Sequence, residues 1–188
     1  GLTTSSKSIN VAGTLTLTSG TITTGSDTIV IASTGSISGG SSSSYISGRL
    51  AQFFNAAGTK TFPVGKGGNY RPVGFSYSAL TGTSRVTAEQ FESGFGGTAA
   101  ARQNFLTNRY WYIAQSGGSG LNYSVTLDAT GSSAPTKFPR MYRYDGTTTF
   151  VQSATYSAPN YTASGFTTFS QFTYGEEECA PTTSNAGA

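Results

Sequence analysis

Between Ile9 and Gly40 the chain repeats one short pattern: a hydroxyl residue, then Leu or Ile, then a close on Gly, Ser or Asp. The units are Thr14–Gly20, Thr21–Asp27, Thr28–Gly35 and Ser36–Gly40, and the full ones are seven or eight residues long. Within them Leu15, Leu17, Ile22, Ile29 and Ile31 alternate with polar neighbours, the period of a strand with one buried face. Glycines at the unit ends suit tight turns. One such unit cannot bury its own apolar row, so units must stack on one another. The expectation is a short ladder of 7–8-residue rungs, either a small β-solenoid or a tight meander, and a scaffold rather than a reaction centre.

Ser and Thr together number 57 of 188 residues and only 10% are charged, which alone would suit disorder. Aromatics at 13% in regular alternation argue instead for a packed core. β-branched and aromatic residues dominate, so the class is all-β. The chain divides into a solenoid-like rung segment over 1–43, an antiparallel, aromatic-rich β-sandwich over 44–175, and a tail or linker over 176–188. Gly39–Ser44 reads as a hinge between the first two. In the sandwich, Val73, Phe75, Tyr77 and Ala79 mark one strand, with Arg85–Phe91 as its partner. Leu121, Tyr123, Val125 and Leu127 mark another, and Asp145-Gly146 reads as a hairpin turn. Gly94–Phe105 is the one helix-compatible patch, with Thr98 as its N-cap.

The chain has no histidine and one cysteine. That removes Ser-His-Asp and Cys-His catalysis, imidazole zinc sites and any intrachain disulfide. The expectation is a non-enzyme with no cofactor and no metal. Glu89 and Glu92 are the one candidate acid pair for glycoside hydrolysis, but three residues apart on a strand they fall on opposite faces and read as solvated acids. Asp27, Asp128 and Asp145 read as turn residues, and Glu176–Glu178 as a solvated tail. The net charge of +3 is spread thinly, which argues against nucleic acid. No run approaches the ~20 apolar residues of a membrane span. No signal peptide opens the sequence, so Gly1 reads as a mature terminus or an internal cut.

Several segments, in order, resemble a β-rich module of large secreted and cell-surface proteins in Bacteroidetes-type bacteria. They are Ser36-Ile-Ser-Gly-Gly40, Phe62-Pro-Val-Gly65 with Tyr70-Arg-Pro-Val73, Arg109-Tyr-Trp111, Met141-Tyr-Arg-Tyr-Asp-Gly146 and Phe172-Thr-Tyr-Gly-Glu176. The resemblance implies export by the type IX route, an extracellular or cell-surface location, and a part in adhesion, gliding or extracellular structure. It supplies no catalytic residues. Asp27-Thr28-Ile29 also resembles the O-glycosylation motif of these bacteria, which marks Thr28.

Residue patterns suggest three binding surfaces. Tyr110, Trp111 and Tyr112 could stack on sugar rings, as in a carbohydrate-binding module. The threonine arrays Thr14-x-Thr16-x-Thr18 and Thr21-x-Thr23 resemble an ice-binding β-solenoid. The terminal segment, with Glu176, Cys179 and Pro181, could add to the open sheet edge of a neighbouring copy and build a filament. The leading expectation is a structural or adhesive surface module whose partners are copies of itself or adjoining domains. Carbohydrate binding is the alternative, with polysaccharide as partner, and ice binding comes third.

Overall fold

The computed structural model describes residues 7–178, which form eighteen strands and, among the described residues, no helix. The all-β class read from composition holds. The strands are β1 (Ser8–Val11), β2 (Thr14–Leu17), β3 (Ile22–Ile31), β4 (Ser36–Gly39), β5 (Ile46–Phe54), β6 (Gly58–Phe62), β7 (Gly65–Lys66), β8 (Asn69–Tyr70) and β9 (Val73–Thr81). They continue with β10 (Ser84–Phe91), β11 (Gln103–Phe105), β12 (Tyr110–Ser116), β13 (Ser119–Asp128), β14 (Phe138–Tyr144), β15 (Thr149–Ser153), β16 (Thr155–Ser157), β17 (Asn160–Phe166) and β18 (Ser170–Glu177).

The N-terminal strands alternate between two sheets. β1, β3 and β5 pair in parallel in one, and β2 and β4 pair in parallel in the other. Ser8 lies beside Thr28 and Thr14 beside Ser36, so paired strands lie 20 and 22 residues apart in sequence. Of the repeat units, Thr14–Gly20 and Ser36–Gly40 each supply one strand, β2 and β4, which pair with each other, while the two units between them share the ten-residue β3. The unit boundary read at Gly25-Ser26-Asp27 is a bulge inside β3: the register against β5 shifts between Thr23 and Thr28. Gly48 lies opposite the bulge at φ +141°, a backbone conformation that other residues adopt only under strain. A Cβ there would run into the Thr24 hydroxyl oxygen. Gly48→Ala is therefore expected to cost about 1–3 kcal/mol, read as a lower denaturation midpoint with an unchanged slope.

The rung segment is not set apart from the aromatic-rich body. β3 and β5 carry it into one nine-stranded sheet, ordered β1-β3-β5-β10-β12-β18-β14-β15 with β11 also on β18. The facing sheet runs β16-β17-β13-β9-β6. A single core joins Leu17, Ile29 and Ile31 of the rungs with Phe54, Phe75, Trp111, Tyr123 and Phe172. Rings meet across the two sheets, Phe54 on Phe75 at 5.5 Å and Tyr161 on Tyr174 at 4.6 Å. The sequence expected a hinge at Gly39–Ser44. Ser41 and Ser44 instead exchange backbone hydrogen bonds, and the Ser43 carbonyl accepts from Gly20 N–H.

Three further expectations change. β10 does not pair with β9. It crosses to the large sheet between β5 and β12, because its inward residues Val86 and Ala88 complete that sheet's buried row. Ala79, read as inward, is exposed. The patch read as helical, Gly94–Phe105, forms no helix: Gln103–Phe105 is β11 beside β18 in the large sheet, and the residues before it carry no regular structure. Phe95 and Phe105 pack with Tyr142, and Thr98 N–H donates to the Thr149 hydroxyl instead of capping a helix.

Burial has an alkaline signature. Loss of solvation pushes Tyr161 up to about 12 and raises Tyr123 and Tyr142 further still. The folded state thus holds these protons more tightly than the unfolded chain, whose tyrosines titrate near 10. The resulting stabilisation is complete below pH 10 and is lost as pH climbs through the folded values. Denaturation midpoints should fall steadily from pH 10 towards 12, and a flat profile there would refute the burial of these hydroxyls.

Candidate functional site

The end of the molecule where the two sheets meet holds a cluster of charge. Arg71 lies between β8 and β9, Glu92 just past β10, Arg109 just before β12, and Asp128 ends β13. Arg71 Nε is 3.3 Å from Glu92, and its Nη1 is 3.3 Å from Asp128. Arg109 Nε reaches the other Glu92 oxygen at 3.3 Å and donates through Nη1 to the Tyr174 hydroxyl at 3.0 Å. Arg71 also donates to the Thr130 carbonyl, and its own carbonyl accepts from Trp111 Nε1 at 3.0 Å. Two cations face two acids, so the charge is compensated within the cluster, as burial demands. The geometry suits a clamp between sheets.

The acid pair considered for hydrolysis separates as its spacing predicts, yet neither member is a solvated acid. Glu89 is buried on the outer face of β10 and pairs with Arg49 at 3.0 Å, while Glu92 joins the cluster. Asp27 accepts from Lys7 N–H, and Asp145 accepts from Thr147 and Thr148 N–H in the β14–β15 turn. Those turn donors hold Asp145 down at about 2. Asp128, read as a turn residue, does accept from Thr130, but it also serves Arg71.

A cleft of about 400 Å³ opens beside the clamp, walled by Phe105, Leu106, Pro135, Tyr161, Tyr174 and Glu176. Two of its polar groups, the Glu176 carboxylate and the Tyr174 hydroxyl, are engaged by protein partners. The Glu176 carboxylate accepts from Thr136 N–H at 2.7 Å and Lys137 N–H at 3.0 Å. Burial works to raise the pKa of Glu176, but these donors outweigh it and lower it overall. The Tyr174 hydroxyl is shared between Arg109 and Ser132.

The residues marked for tail assembly fall in two places. Glu176 belongs to β18, paired with Asn104 on one side and Pro139 on the other, so the acidic run is not a free tail there. Glu177 pairs with Arg140 at 2.7 Å. Cys179 and Pro181 lie outside the described residues. Thr28 is 9% exposed, and its strand is paired on both sides, with Ser8 and with Arg49. Little of Thr28 therefore reaches solvent in the folded chain.

The aromatic triplet splits by strand parity. Trp111 points into the core with no exposed surface, so it cannot stack on a sugar. Tyr110 and Tyr112 project from the opposite face. Tyr110 stacks on Phe91, with centroids 4.7 Å apart and planes 9° off parallel. Tyr112 lies beside Glu89 in register and is 44% exposed. Together with the Arg49–Glu89 pair they make an open aromatic and polar platform. Thr14, Thr16, Ser36 and Ser38 form a second exposed array on β2 and β4, where the Thr14 and Ser36 hydroxyls lie 2.9 Å apart. Ser alternates with Thr across the pair, and only two strands carry the array.

No protein-family model matches the chain, and no curated protein or solved structure is significantly similar to it. The site is therefore read from its own geometry.

Sequence reasoning missed the clamp. Arg71 and Arg109 stood inside the motifs Tyr-Arg-Pro-Val and Arg-Tyr-Trp, but their partners Glu92 and Asp128 are many residues away. The usable signal was an Arg beside each end of strongly apolar strands in a chain poor in charge.

Proposed function

We propose that the chain is a non-enzymatic structural or adhesive module, working outside the cell at a bacterial surface and associating with copies of itself or with adjoining domains. The observation that carries this reading is the uninterrupted nine-stranded sheet, which joins the parallel rungs to the aromatic two-sheet body around one core. In this reading the N-terminal strands are a short solenoid and the remainder a β-sandwich, fused into one stiff unit. The ion clamp reinforces that unit where the sheets meet, and its charges are spent on each other. Extracellular work also suits a chain that relies on sheet hydrogen bonds and aromatic packing.

A second reading, polysaccharide binding, is favoured by the Tyr112 platform, since pyranose rings stack on open aromatic faces flanked by polar groups. Ice binding draws less support, because a two-strand array offers few hydroxyls. Sedimentation velocity across a wide concentration range, together with retention on immobilised polysaccharides, separates the first two. The structural reading expects association that grows with concentration, and no retention. A strict monomer retained on polysaccharide, with retention lost in Tyr112→Ala, would overturn it in favour of the second.

A further inference from the structure

Buried polar groups in a folded protein are hydrogen-bonded with few exceptions, so an exception calls for a physical account. Several core tyrosines follow the rule. Tyr77 meets Ser84, Tyr123 donates to the Thr168 carbonyl, Tyr142 donates to the Glu176 carbonyl, and Tyr174 lies between Arg109 and Ser132. Tyr161 departs from it. The residue is only 2% exposed, yet among the described residues nothing hydrogen-bonds its hydroxyl. That oxygen is not sealed from solvent either, and Tyr161 lines the cleft of about 400 Å³ beside the ion clamp. Its ring is held there by the Tyr174 ring, 4.6 Å away and 18° from parallel. The hydroxyl therefore stands as an unused donor and acceptor on the wall of a cleft.

Glu176 supplies the complementary group. Both of its backbone donors, Thr136 and Lys137, fall on Oε2, while Oε1 has only the Thr136 hydroxyl at 3.4 Å. A carboxylate oxygen accepts more than one hydrogen bond, so Oε1 keeps capacity to spare. Asn104 and Ser133 bring an amide and a hydroxyl to the rim, and Phe105 and Pro135 give the walls apolar surface. Charge around the opening cancels, with Glu176 and Glu178 matched by Arg102 and Lys137. An anion would face Glu176, and a cation gains little from a balanced rim. Hydroxyls that donate to a carboxylate and accept from a phenol, carried on a body with apolar C–H faces, describe a sugar ring. We propose that this cleft binds a neutral pyranose, with Glu176 accepting from its hydroxyls and Tyr161 donating to one of them. The volume lies at the small end of ligand pockets, which run from about 300 to 1,000 Å³. It suits a single ring or a chain end rather than a run of polymer. The site therefore goes beyond the structural reading above, and its lining does not include the Tyr112 platform.

Proton–nitrogen correlation spectra of the full chain test this, with methyl α-glucopyranoside, methyl α-mannopyranoside, methyl β-galactopyranoside and methyl N-acetyl-β-glucosaminide as probes. At least one should shift the Thr136 and Lys137 amides in a saturable way, because those amides hold Glu176. Tyr161→Phe should weaken that binding about tenfold, the scale of one hydrogen bond. Its denaturation midpoint at neutral pH should stay put, since no partner within the protein is lost, and that separates a ligand contact from a structural one. Glu176→Gln should weaken binding as well, and Tyr112→Ala should not alter it. Sodium acetate and methylammonium chloride, the charged controls, should leave the amides unmoved. No saturable shift with any of the glycosides would overturn the proposal. So would binding that survives Tyr161→Phe intact, or binding lost in Tyr112→Ala, which would move it to the outer face. A saturable response to acetate or methylammonium alone would overturn the sugar as the ligand of this cleft.

Discussion

Trp111→Ala will destabilise the fold by about 3–5 kcal/mol, the cost of emptying a large, well-packed core site. The indole is fully buried and lies 5.9 Å from the Tyr174 ring. Its Nε1–H is also the partner of the Arg71 carbonyl, so truncation adds an unsatisfied buried acceptor beside the ion clamp. Tyr112→Ala, one residue on but facing the other way, should change stability by less than about 0.5 kcal/mol. Denaturant titrations of the two variants give the comparison directly. Equal losses would mean that the strand does not present alternate residues to core and solvent as described. The pair also separates stability from binding, since any polysaccharide retention should vanish in Tyr112→Ala while its midpoint stays put.

Arg71→Ala is expected to cost roughly 3–5 kcal/mol, because removing one member of a buried ion network leaves its acids uncompensated. Asp128 loses its only guanidinium contact, Glu92 keeps only Arg109, and the Thr130 carbonyl loses a donor. Lysine should not restore the loss, since one ammonium cannot reproduce a planar fork that reaches Glu92, Asp128 and Thr130 together. The double variant Arg71→Ala/Asp128→Ala should recover part of the deficit relative to the sum of the single changes. Strict additivity in that cycle would remove the clamp from the account. Calorimetric or denaturant midpoints of the three variants decide it.

How much was legible in the sequence depends on the range of the interactions involved. Val73-Gly-Phe-Ser-Tyr and Tyr123-Ser-Val-Thr-Leu127 announce their buried faces residue by residue, and both strands form as read. Asp145-Gly146 fixes a hairpin because turn chemistry is local. Partner choice is not local. Arg85–Phe91 carries a strand pattern but no mark that sends it past β9 to β5 and β12. Gly94–Phe105 has helix-tolerant alanines, yet Phe95 and Phe105 gain more by covering Tyr142 than a short, uncapped helix would. The repeat over Ile9–Gly40 was visible, but its stacking distance was not, since a seven-residue unit fits both a meander and a coil whose turn spans two strands. At the candidate site, parity alone separated Trp111 from Tyr112. The pairing of Arg71 and Arg109 with Glu92 and Asp128 needed the fold.

The central claim is that rungs and two-sheet body form one cooperative unit joined through β3 and β5. Equilibrium denaturation followed simultaneously by Trp111 fluorescence and by hydrogen exchange of the β3 amides tests it most directly. The account predicts coincident transitions, with β3 amides as protected as those of β12. Loss of protection in β3 while Trp111 fluorescence remains native would show two independent parts and contradict it.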